Sequence, residues 1–323
     1  MRKSNLAIII PYFKKDFFEL TLASFSEQTC KDFTLYIGDD HSPYAVADLL
    51  SNYQDKLNIV YHRFDENIGS ISLTKQWERC VNLSNEEWIW LFSDDDIVDP
   101  NAVEVFYKAM DQGELLYKFH TVIVDEHGDQ HSVSKKYDRI NKVENCLSSD
   151  SFIHHRLQSH GFRSYAVEYI FHRSLFSKHG FIDFPLAWNS DDATWLQFSI
   201  ANGRKIKLLN AQVYWRLSNT NISSDTISLP VVKKKMDASL LYIKWLAKLV
   251  VLEKLNIDPK LILKWFAIQI GSFTPAISFS DFRKVVHKLP YSYGFSSISF
   301  YFLRYVRLRV ILAIYRSILR RIK

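Results

Sequence analysis

Three consecutive carboxylates, Asp94-Asp95-Asp96, follow the apolar run Trp88 to Phe92. Carboxylates this close repel one another, so the cluster costs stability unless a cation lies among them. A hard divalent ion such as Mg²⁺ or Mn²⁺ takes oxygen ligands and commonly bridges carboxylates to a substrate diphosphate. An exposed acidic loop would have the same composition, but the buried strand predicted immediately before the triplet favours a cation and diphosphate site.

A second acidic turn, Gly38-Asp39-Asp40-His41-Ser42, follows the apolar run Phe33 to Ile37. A carboxylate at the end of a strand can accept a hydrogen bond from a ribose hydroxyl or from a base N–H. Aspartate and serine are also ordinary turn residues, so this motif by itself is equally typical of a simple turn.

The elements that position these groups alternate between strand and helix. Apolar runs predict strands at 6–10, 33–37, 57–61 and 88–92, and helical periodicity predicts helices at 17–28, 44–54 and 72–81. This alternation predicts an α/β fold, with a mostly parallel sheet and helices on both faces, whose ligands bind beyond the carboxyl ends of the strands. The polar residues expected to converge there are Pro11, Tyr12, Asp39, Asp40, Asn67, Gly69, Asp94, Asp95 and Asp96.

Beyond residue 98 the pattern is less regular. Strands are predicted at 115–120, 121–124, 165–172, 205–209 and 212–217, and a helix at 190–201. Residues 145–165 are interpreted as an irregular loop, with a segment that lines the acceptor site as the alternative. From Pro230 onward the pattern becomes helical, with helices predicted at 231–255, 259–270 and 282–289. We therefore predict one α/β domain over 1–225, with halves 1–97 and 98–225, and a helical region over 226–323.

The charge is distributed unevenly along the chain. No acidic residue follows Asp281, whereas ten of the 41 Lys and Arg residues do. Residues 1–281 therefore carry 31 basic side chains (41 minus 10) against 35 acidic ones, a net charge of −4. A mildly acidic body argues against nucleic acid as a partner.

The segment 300–323 combines basic and large apolar residues. Seven Lys or Arg side chains between 304 and 323 exclude a transmembrane span. A basic amphipathic helix lying on an anionic membrane surface fits this composition. The alternative is a C-terminal helix that packs on the protein with its basic face exposed.

The N-terminal region and the cysteines indicate a cytoplasmic protein. The apolar run Leu6 to Ile10 stops at Pro11, which is too short for the core of a signal peptide. Three widely spaced cysteines give neither a zinc motif nor a disulfide framework.

Taken together, these motifs resemble glycosyltransferase family 2. The residues that carry the resemblance, in the order and spacing of that family, are Ile8 to Tyr12, Gly38 to Ser42, Glu66 to Gly69, Phe92 to Ile97, Pro100, Phe184 to Asp192, Tyr214 to Arg216 and Asn221 to Ser223. The resemblance implies a GT-A fold and an inverting transfer of a sugar from a nucleoside-diphosphate donor. By position, 1–97 would bind the nucleotide-sugar and 98–225 the acceptor.

The resemblance also implies roles for individual residues. Asp94 and Asp96 would hold Mn²⁺ or Mg²⁺, and Asp95 would contact the donor, although the resemblance leaves open which of the three aspartates takes which role. The other donor-binding residues would be Pro11, Tyr12, Asp39, Asp40, Asn67, Gly69, Asp94 and Arg216. Membrane association would suit a lipid-linked saccharide acceptor at the inner face of the cell membrane. This acceptor is inferred by analogy with the family.

The pair Asp191-Asp192 resembles the family's acidic motif that contains the catalytic base. An inverting displacement needs one carboxylate to take the proton of the acceptor hydroxyl. Neighbouring residues on a helix point about 100° apart, so only one of the two is well aimed. The other would act as a favourable charge at the helix N-terminus, and which of them is the base stays open.

Two departures from the family pattern and two alternatives accompany this hypothesis. Leu73-Thr74-Lys75 stands where many relatives have Ala-Arg-Asn, and Ser218-Asn219 stands where many have a histidine. A nucleotidyltransferase would have a glycine-rich phosphate loop after the first strand, and none is present. A non-catalytic nucleotide-sugar-binding relative would not need the second acidic pair.

Overall fold

The structure is a computed structural model. It describes residues 5–110, 113–131, 145–158, 162, 164–218, 221–273, 276–289, 302–303 and 306, so most of the segment 300–323 lies outside the described residues. The chain divides into two compact units, one of Met1–Phe152 with Phe162–Ser218 and the other of Ile153–Gly161 with Asn219–Lys323. The domain limits predicted from the sequence stay a prediction.

Within the described residues of the first unit, nine strands form a single sheet. The strands are β1 (Leu6–Tyr12), β2 (Thr34–Asp39), β3 (Ile59–Arg63), β4 (Trp88–Leu91), β5 (Ile97–Val98), β6 (Leu116–Val124), β7 (Cys146–Ser148), β8 (Tyr169–His172) and β9 (Lys205–Arg216). Their order is β3-β2-β1-β4-β8-β6-β9-β5, and β7 pairs with β9.

Helices connect these strands and continue after the last of them. The helices are α1 (Phe18–Ser26), α2 (Ala47–Ser51), α3 (Leu73–Val81), α4 (Ala102–Met110), α5 (Ser149–Leu157), α6 (Arg173–His179), α7 (Ser190–Ala201), α8 (Leu229–Leu252), α9 (Pro259–Gly271) and α10 (Phe279–Val286). The predicted α/β architecture and the C-terminal helical extension are confirmed. Among the residues that the structure describes, no helix combines the length and apolarity needed for a membrane span.

The strands nearest the acidic triplet are parallel. β1 pairs with β2 and with β4, and β2 pairs with β3, all in the parallel sense. Tyr12 lies opposite Asp39, and Ile9 lies opposite Leu91, so the carboxyl ends of β1, β2 and β4 lie side by side. This is the edge at which the sequence predicts a crevice.

Buried aromatic side chains fix the position of β4 in this sheet. Trp90 is fully buried, stacks on Phe119 at 4.7 Å between ring centroids and donates its indole N–H to the carbonyl of Val167 at 2.7 Å. Phe92 packs edge-on against Phe25 of α1 at 4.9 Å. Such contacts make the end of β4 a rigid base for the carboxylates that follow it.

Several elements differ from the predictions. The expectation of an irregular loop at 145–165 is wrong, because its described residues include β7 and α5. The strands predicted at 115–120 and 121–124 form the single strand β6, with an irregular register between Lys118 and His120. Those predicted at 205–209 and 212–217 likewise form the single strand β9, and α4 and α6 were not predicted.

Candidate functional site

Asp94 joins the end of β4 to the loop that follows β1. Its Oδ2 accepts the backbone N–H groups of Phe13 at 2.8 Å and Lys14 at 2.7 Å. Hydrogen bonds from backbone N–H groups to a carboxylate are stronger than those between neutral groups. Asp94 therefore holds the β1–α1 loop in place beside the acidic triplet.

Asp96 joins the triplet to β9 and to α1. Its carboxylate accepts the hydroxyl of Ser93 at 2.6 Å and the backbone N–H of Arg216 at 2.7 Å, one on each oxygen. Its backbone carbonyl accepts the hydroxyl of Thr21 at 2.8 Å. Since only 1% of Asp96 is exposed, its carboxylate is built into the protein rather than presented to solvent.

Asp95 is the most accessible member of the triplet. It is half-buried, whereas Asp94 is 9% exposed. Burial raises the pKa of Asp95, and the positive charge of Lys14 opposes this rise. The Ser93 side chain also hydrogen-bonds to Asp95, so its greater exposure, rather than a lack of partners, makes Asp95 the member of the triplet best placed to meet a ligand.

The electrostatics of the triplet favour a cation. Burial and the neighbouring charge of Asp95 raise the pKa of Asp94 to about 7 and that of Asp96 well above its usual value. No group of three His, Cys, Asp or Glu side chains among the described residues could hold a metal ion. Mg²⁺ is commonly bound by one or two carboxylates together with substrate phosphates. The residues present therefore fit a cation shared with a diphosphate rather than one held by the protein alone.

Arg216 lies inside the protein and holds the backbone of the triplet. It is 1% exposed, its Nε donates to the carbonyl of Asp95 at 2.9 Å, and its Nη1 donates to the carbonyls of Asp125 at 3.0 Å and Glu126 at 3.2 Å. The guanidinium also lies 4.5 Å from the ring centroid of Phe17. Arg216 therefore positions the backbone of the triplet and the turn that contains Asp125 and Glu126.

Asp39 is fully buried at the end of β2. Its Oδ1 accepts the backbone N–H of Ser42 at 2.7 Å, and its Oδ2 accepts the Tyr61 hydroxyl at 2.6 Å and Arg63 Nη1 at 2.7 Å. Arg63 Nη2 also donates to the carbonyl of Ser42 at 2.9 Å. Asp39 thereby fixes the turn after β2 against the edge strand β3.

Asp40 fastens the loop that precedes α3. Its two carboxylate oxygens accept the backbone N–H groups of Ile68 and Gly69, each at 3.0 Å, and it forms an ion pair with Arg79. A Cβ at Gly69 would overlap Oδ2 of Asp40, so this approach requires glycine. Asn67 closes the same loop by accepting the backbone N–H of Ser70 at 2.9 Å.

Pro11 and Tyr12 form the last part of β1 beneath these groups. Tyr12 is fully buried, its ring lies 4.7 Å from that of Phe18, and burial raises its pKa to about 12. Its carbonyl accepts the backbone N–H of Asp40 at 3.0 Å. Tyr12 and the two residues after it are therefore hydrogen-bonded both to the turn after β2 and to Asp94 of the triplet.

Asp191 and Asp192 open α7, as the sequence predicts. Asp192 is 1% exposed and Asp191 is half-buried, and Oδ1 of Asp191 accepts the backbone N–H of Asp192 at 2.9 Å. Three non-glycine residues just before them have positive φ, namely Leu186 at 60°, Ala187 at 52° and Asn189 at 65°. Left-handed backbone costs about 1–3 kcal/mol per residue and is concentrated at functional sites.

Asp183 connects this strained segment to the start of α3. Its carboxylate accepts the hydroxyls of Thr74 at 2.5 Å and Ser72 at 3.2 Å, both at the start of α3. No local pattern could reveal these contacts, because the partners lie 109 and 111 residues apart. They place the start of the 183–192 segment against the helix that follows Gly69.

Comparison with known proteins identifies the family. The model described as "Glycosyl transferase family 2" matches residues 7–179, more than half of the 323 residues. The chain belongs to glycosyl transferase family 2. The predicted family is thereby confirmed, and this family 2 protein is a glycosyltransferase. No curated protein sequence matches the chain.

Solved structures of glycosyltransferases share the fold of this family 2 enzyme. Staphylococcus aureus TarS 1–349 in complex with UDP-GlcNAc matches with a TM-score of 0.57 at 14% identity, covering 89% of this chain and 77% of that one. GalNAc-T7 with UDP, GalNAc and Mn²⁺ matches with a TM-score of 0.50 at 12% identity, covering 88% of this chain and 54% of that one. The predicted GT-A fold is thereby confirmed.

Proposed function

We propose that the enzyme transfers a sugar, with inversion, from a nucleoside-diphosphate donor to a saccharide acceptor. The observation that carries this proposal is the arrangement of the triplet at the carboxyl ends of β1 and β4. Asp94 and Asp96 are hydrogen-bonded by the chain, and Asp95 is the most accessible of the three. TarS and GalNAc-T7, which share the fold, were solved with UDP-GlcNAc and with UDP and Mn²⁺ respectively.

Asp95 and Asp94 would hold a divalent cation together with the donor diphosphate. We favour Asp95 over Asp96, because Asp96 is only 1% exposed, whereas Asp95 is half-buried. When bound, Mn²⁺ or Mg²⁺ stabilises the negative charge that develops on the leaving nucleoside diphosphate. The chain's own contribution is to fix the carboxylates, which Arg216 does from the carbonyl side of Asp95.

The nucleoside would lie over the turns after β1, β2 and β3. Asp39 and Asp40 each accept three hydrogen bonds or ion-pair contacts from the chain. We therefore propose that both carboxylates shape the pocket, because they hold the turn after β2 and the loop before α3 against which the nucleoside would bind. Asn67 and Gly69 would supply the loop that borders the same pocket.

Asp191 or Asp192 would take the proton from the acceptor hydroxyl. Both lie at the N-terminus of α7, where the helix dipole favours their charged form. Replacing each separately by Asn should leave donor binding unchanged and abolish transfer in one of the two variants. Full turnover in both variants would show that neither Asp191 nor Asp192 is the catalytic base.

The acceptor would be a lipid-linked saccharide at the cytoplasmic face of the cell membrane. This part of the proposal rests on the basic, apolar composition of 300–323, which suits an anionic membrane surface. Deleting 300–323 should move the enzyme from sedimented membranes to the supernatant. If the deleted enzyme still sediments with membranes, residues 300–323 do not bind the membrane and do not support the proposed acceptor.

A thermal-shift screen tests the donor proposal. UDP-, GDP- and TDP-sugars are added with and without Mn²⁺, because a ligand that binds only the folded state raises the unfolding temperature. We expect one nucleotide class to give a shift that needs Mn²⁺. The Asp95→Ala variant should lose this dependence, and Asp55→Ala, which removes an exposed carboxylate outside the site, should keep it. No shift with any nucleotide would contradict the proposal.

A further inference from the structure

The long helix α8 (Leu229–Leu252) has two distinct faces. Neighbouring residues on a helix are rotated by about 100°, and all the exposed residues of α8 fall within an arc of about 140°. The opposite arc consists of buried residues that include Val232, Met236, Ile243 and Leu246. This buried arc already provides the apolar stripe by which a surface helix packs on its own protein.

The exposed arc contains a second set of large apolar residues. They are Leu229 at 43% exposure, Leu241 at 45%, Val251 at 76% and Leu252 at 65%. Ile227, directly before the helix, is 77% exposed. Single exposed apolar residues are ordinary, but a set aligned along one helix face marks an interaction surface.

The same arc is strongly basic. Its exposed lysines are Lys233, Lys234, Lys244 and Lys248. Its single exposed acid, Asp237, lies 4.0 Å from Lys288 of the same unit. The α8 face, by which we mean the exposed residues between Leu229 and Leu252, therefore combines apolar side chains with a net positive charge.

We propose that the α8 face binds the surface of an anionic lipid bilayer. Helices that lie in the membrane interface have this composition, with apolar residues entering the acyl boundary and Lys or Arg contacting the headgroups. Lysine stems can lie along the apolar surface while the ammonium groups reach anionic phosphates. The helix would then lie parallel to the membrane plane along its whole length.

Charge distinguishes a lipid surface from a second copy of the chain. A symmetric dimer brings the same patch of both subunits together. On the α8 face this would set four lysines against four lysines, with one aspartate on each side. An anionic bilayer instead complements the charge and accommodates the apolar residues.

This inference deepens the proposed function, since a lipid-linked acceptor requires the enzyme at a membrane, but it does not depend on residues 300–323. It is tested with the full chain by co-sedimentation with vesicles of phosphatidylglycerol and phosphatidylcholine, against phosphatidylcholine alone. Each lysine near an anionic surface strengthens membrane binding, and the contribution of two lysines together corresponds to a change of about 30-fold in the partition coefficient. Replacing Lys244 and Lys248 by Gln should therefore weaken partitioning into the anionic vesicles by about 30-fold.

Matched variants separate the contributions. Leu241→Ser with Val251→Ser removes apolar contact but keeps the charge, and it should also weaken vesicle binding. Lys56→Gln with Lys178→Gln removes two exposed lysines of the first unit and should leave vesicle binding unchanged. Donor binding, measured by thermal shift in the same samples, should be unchanged in every variant, which also shows that each variant folds.

Three results would overturn the inference. The first is unchanged vesicle binding in both α8 variants, and the second is equal binding to vesicles with and without phosphatidylglycerol. The third is a change of oligomeric state in the α8 variants with vesicle binding retained, which would assign the face to a protein partner. If no nucleotide-sugar binds but vesicle binding still depends on α8, the proposed function fails while this inference stands.

Discussion

Replacing Arg216 by Met removes a buried guanidinium that donates a hydrogen bond to the backbone carbonyl of Asp95 in the acidic triplet. Met fills a similar volume but has no charge, so the substitution removes the hydrogen-bond donors and the cation–π contact with Phe17 while it leaves the space filled. The carbonyl groups of Asp95, Asp125 and Glu126 lose the donors that now lie 2.9, 3.0 and 3.2 Å away.

The expected loss follows from these contacts. A hydrogen bond from a charged donor contributes about 1.5–3 kcal/mol, and an unsatisfied buried acceptor costs about 1–3 kcal/mol. Nη1 is shared between Asp125 and Glu126, so we count two strong bonds rather than three. Relief from burying the guanidinium offsets part of their loss, and we expect the free energy of unfolding to fall by about 3 kcal/mol. Arg216→Lys should recover only part of this, because one ammonium cannot reproduce the planar fork.

Urea unfolding followed by tryptophan fluorescence measures this loss, and Arg204→Met provides the control. Arg204 is 41% exposed in its side chain, and its contact with Asp150 is long, at 3.7 Å, so its loss should cost at most about 1 kcal/mol. A loss below about 1 kcal/mol in Arg216→Met would refute the supporting role of Arg216. An equal loss in Arg204→Met would show that the assay does not report on the triplet.

Three further predictions concern other buried groups. Lys118→Met should lower the free energy of unfolding in urea by about 3–5 kcal/mol, because it leaves the buried carboxylate of Glu168 without its ion-pair partner. Adding Glu168→Leu should restore most of this loss, and equal stability of the single and double variants would contradict the prediction. Gly69→Ala should weaken donor binding in calorimetry, since its Cβ overlaps Asp40, and an unchanged affinity would exclude a role for this close approach. Burial lowers the pKa of Lys235 from 10.5 to about 8. Between these two pH values the unfolded chain holds a proton that the folded chain has released, so the stability of the protein relative to Lys235→Met should rise with pH. Thermal melts of both proteins across this range check the sign, and a fall in the difference would refute it.

The strands that carry the site could be predicted because their runs are long and apolar. Leu6 to Ile10 and Trp88 to Phe92 are buried on both faces of the sheet, which produces continuous apolar sequences. By contrast, α5 contains three apolar residues among nine and α6 two among seven, too few to define an apolar helix face. The strand β9 was divided in the prediction because the polar Asn210 interrupts its apolar pattern.

The roles within the triplet could not be predicted from the sequence. Three identical side chains in succession carry no information about which of them the chain itself binds. The partners that decide this, the backbone N–H groups of Phe13, Lys14 and Arg216, lie 81, 80 and 120 residues away. The positive φ of Leu186 and Ala187 likewise has no local signal, since neither residue type favours left-handed backbone.

The central claim is that Asp95 directs a divalent cation to the donor diphosphate. Calorimetric titration of the nucleoside diphosphate that gives the largest thermal shift, with and without Mn²⁺, tests it most directly. In Asp95→Asn we expect binding in the presence of Mn²⁺ to fall to the level seen without it, while Asp55→Asn keeps the full increment. An Asp95→Asn protein that retains the whole Mn²⁺-dependent gain in affinity would contradict the account.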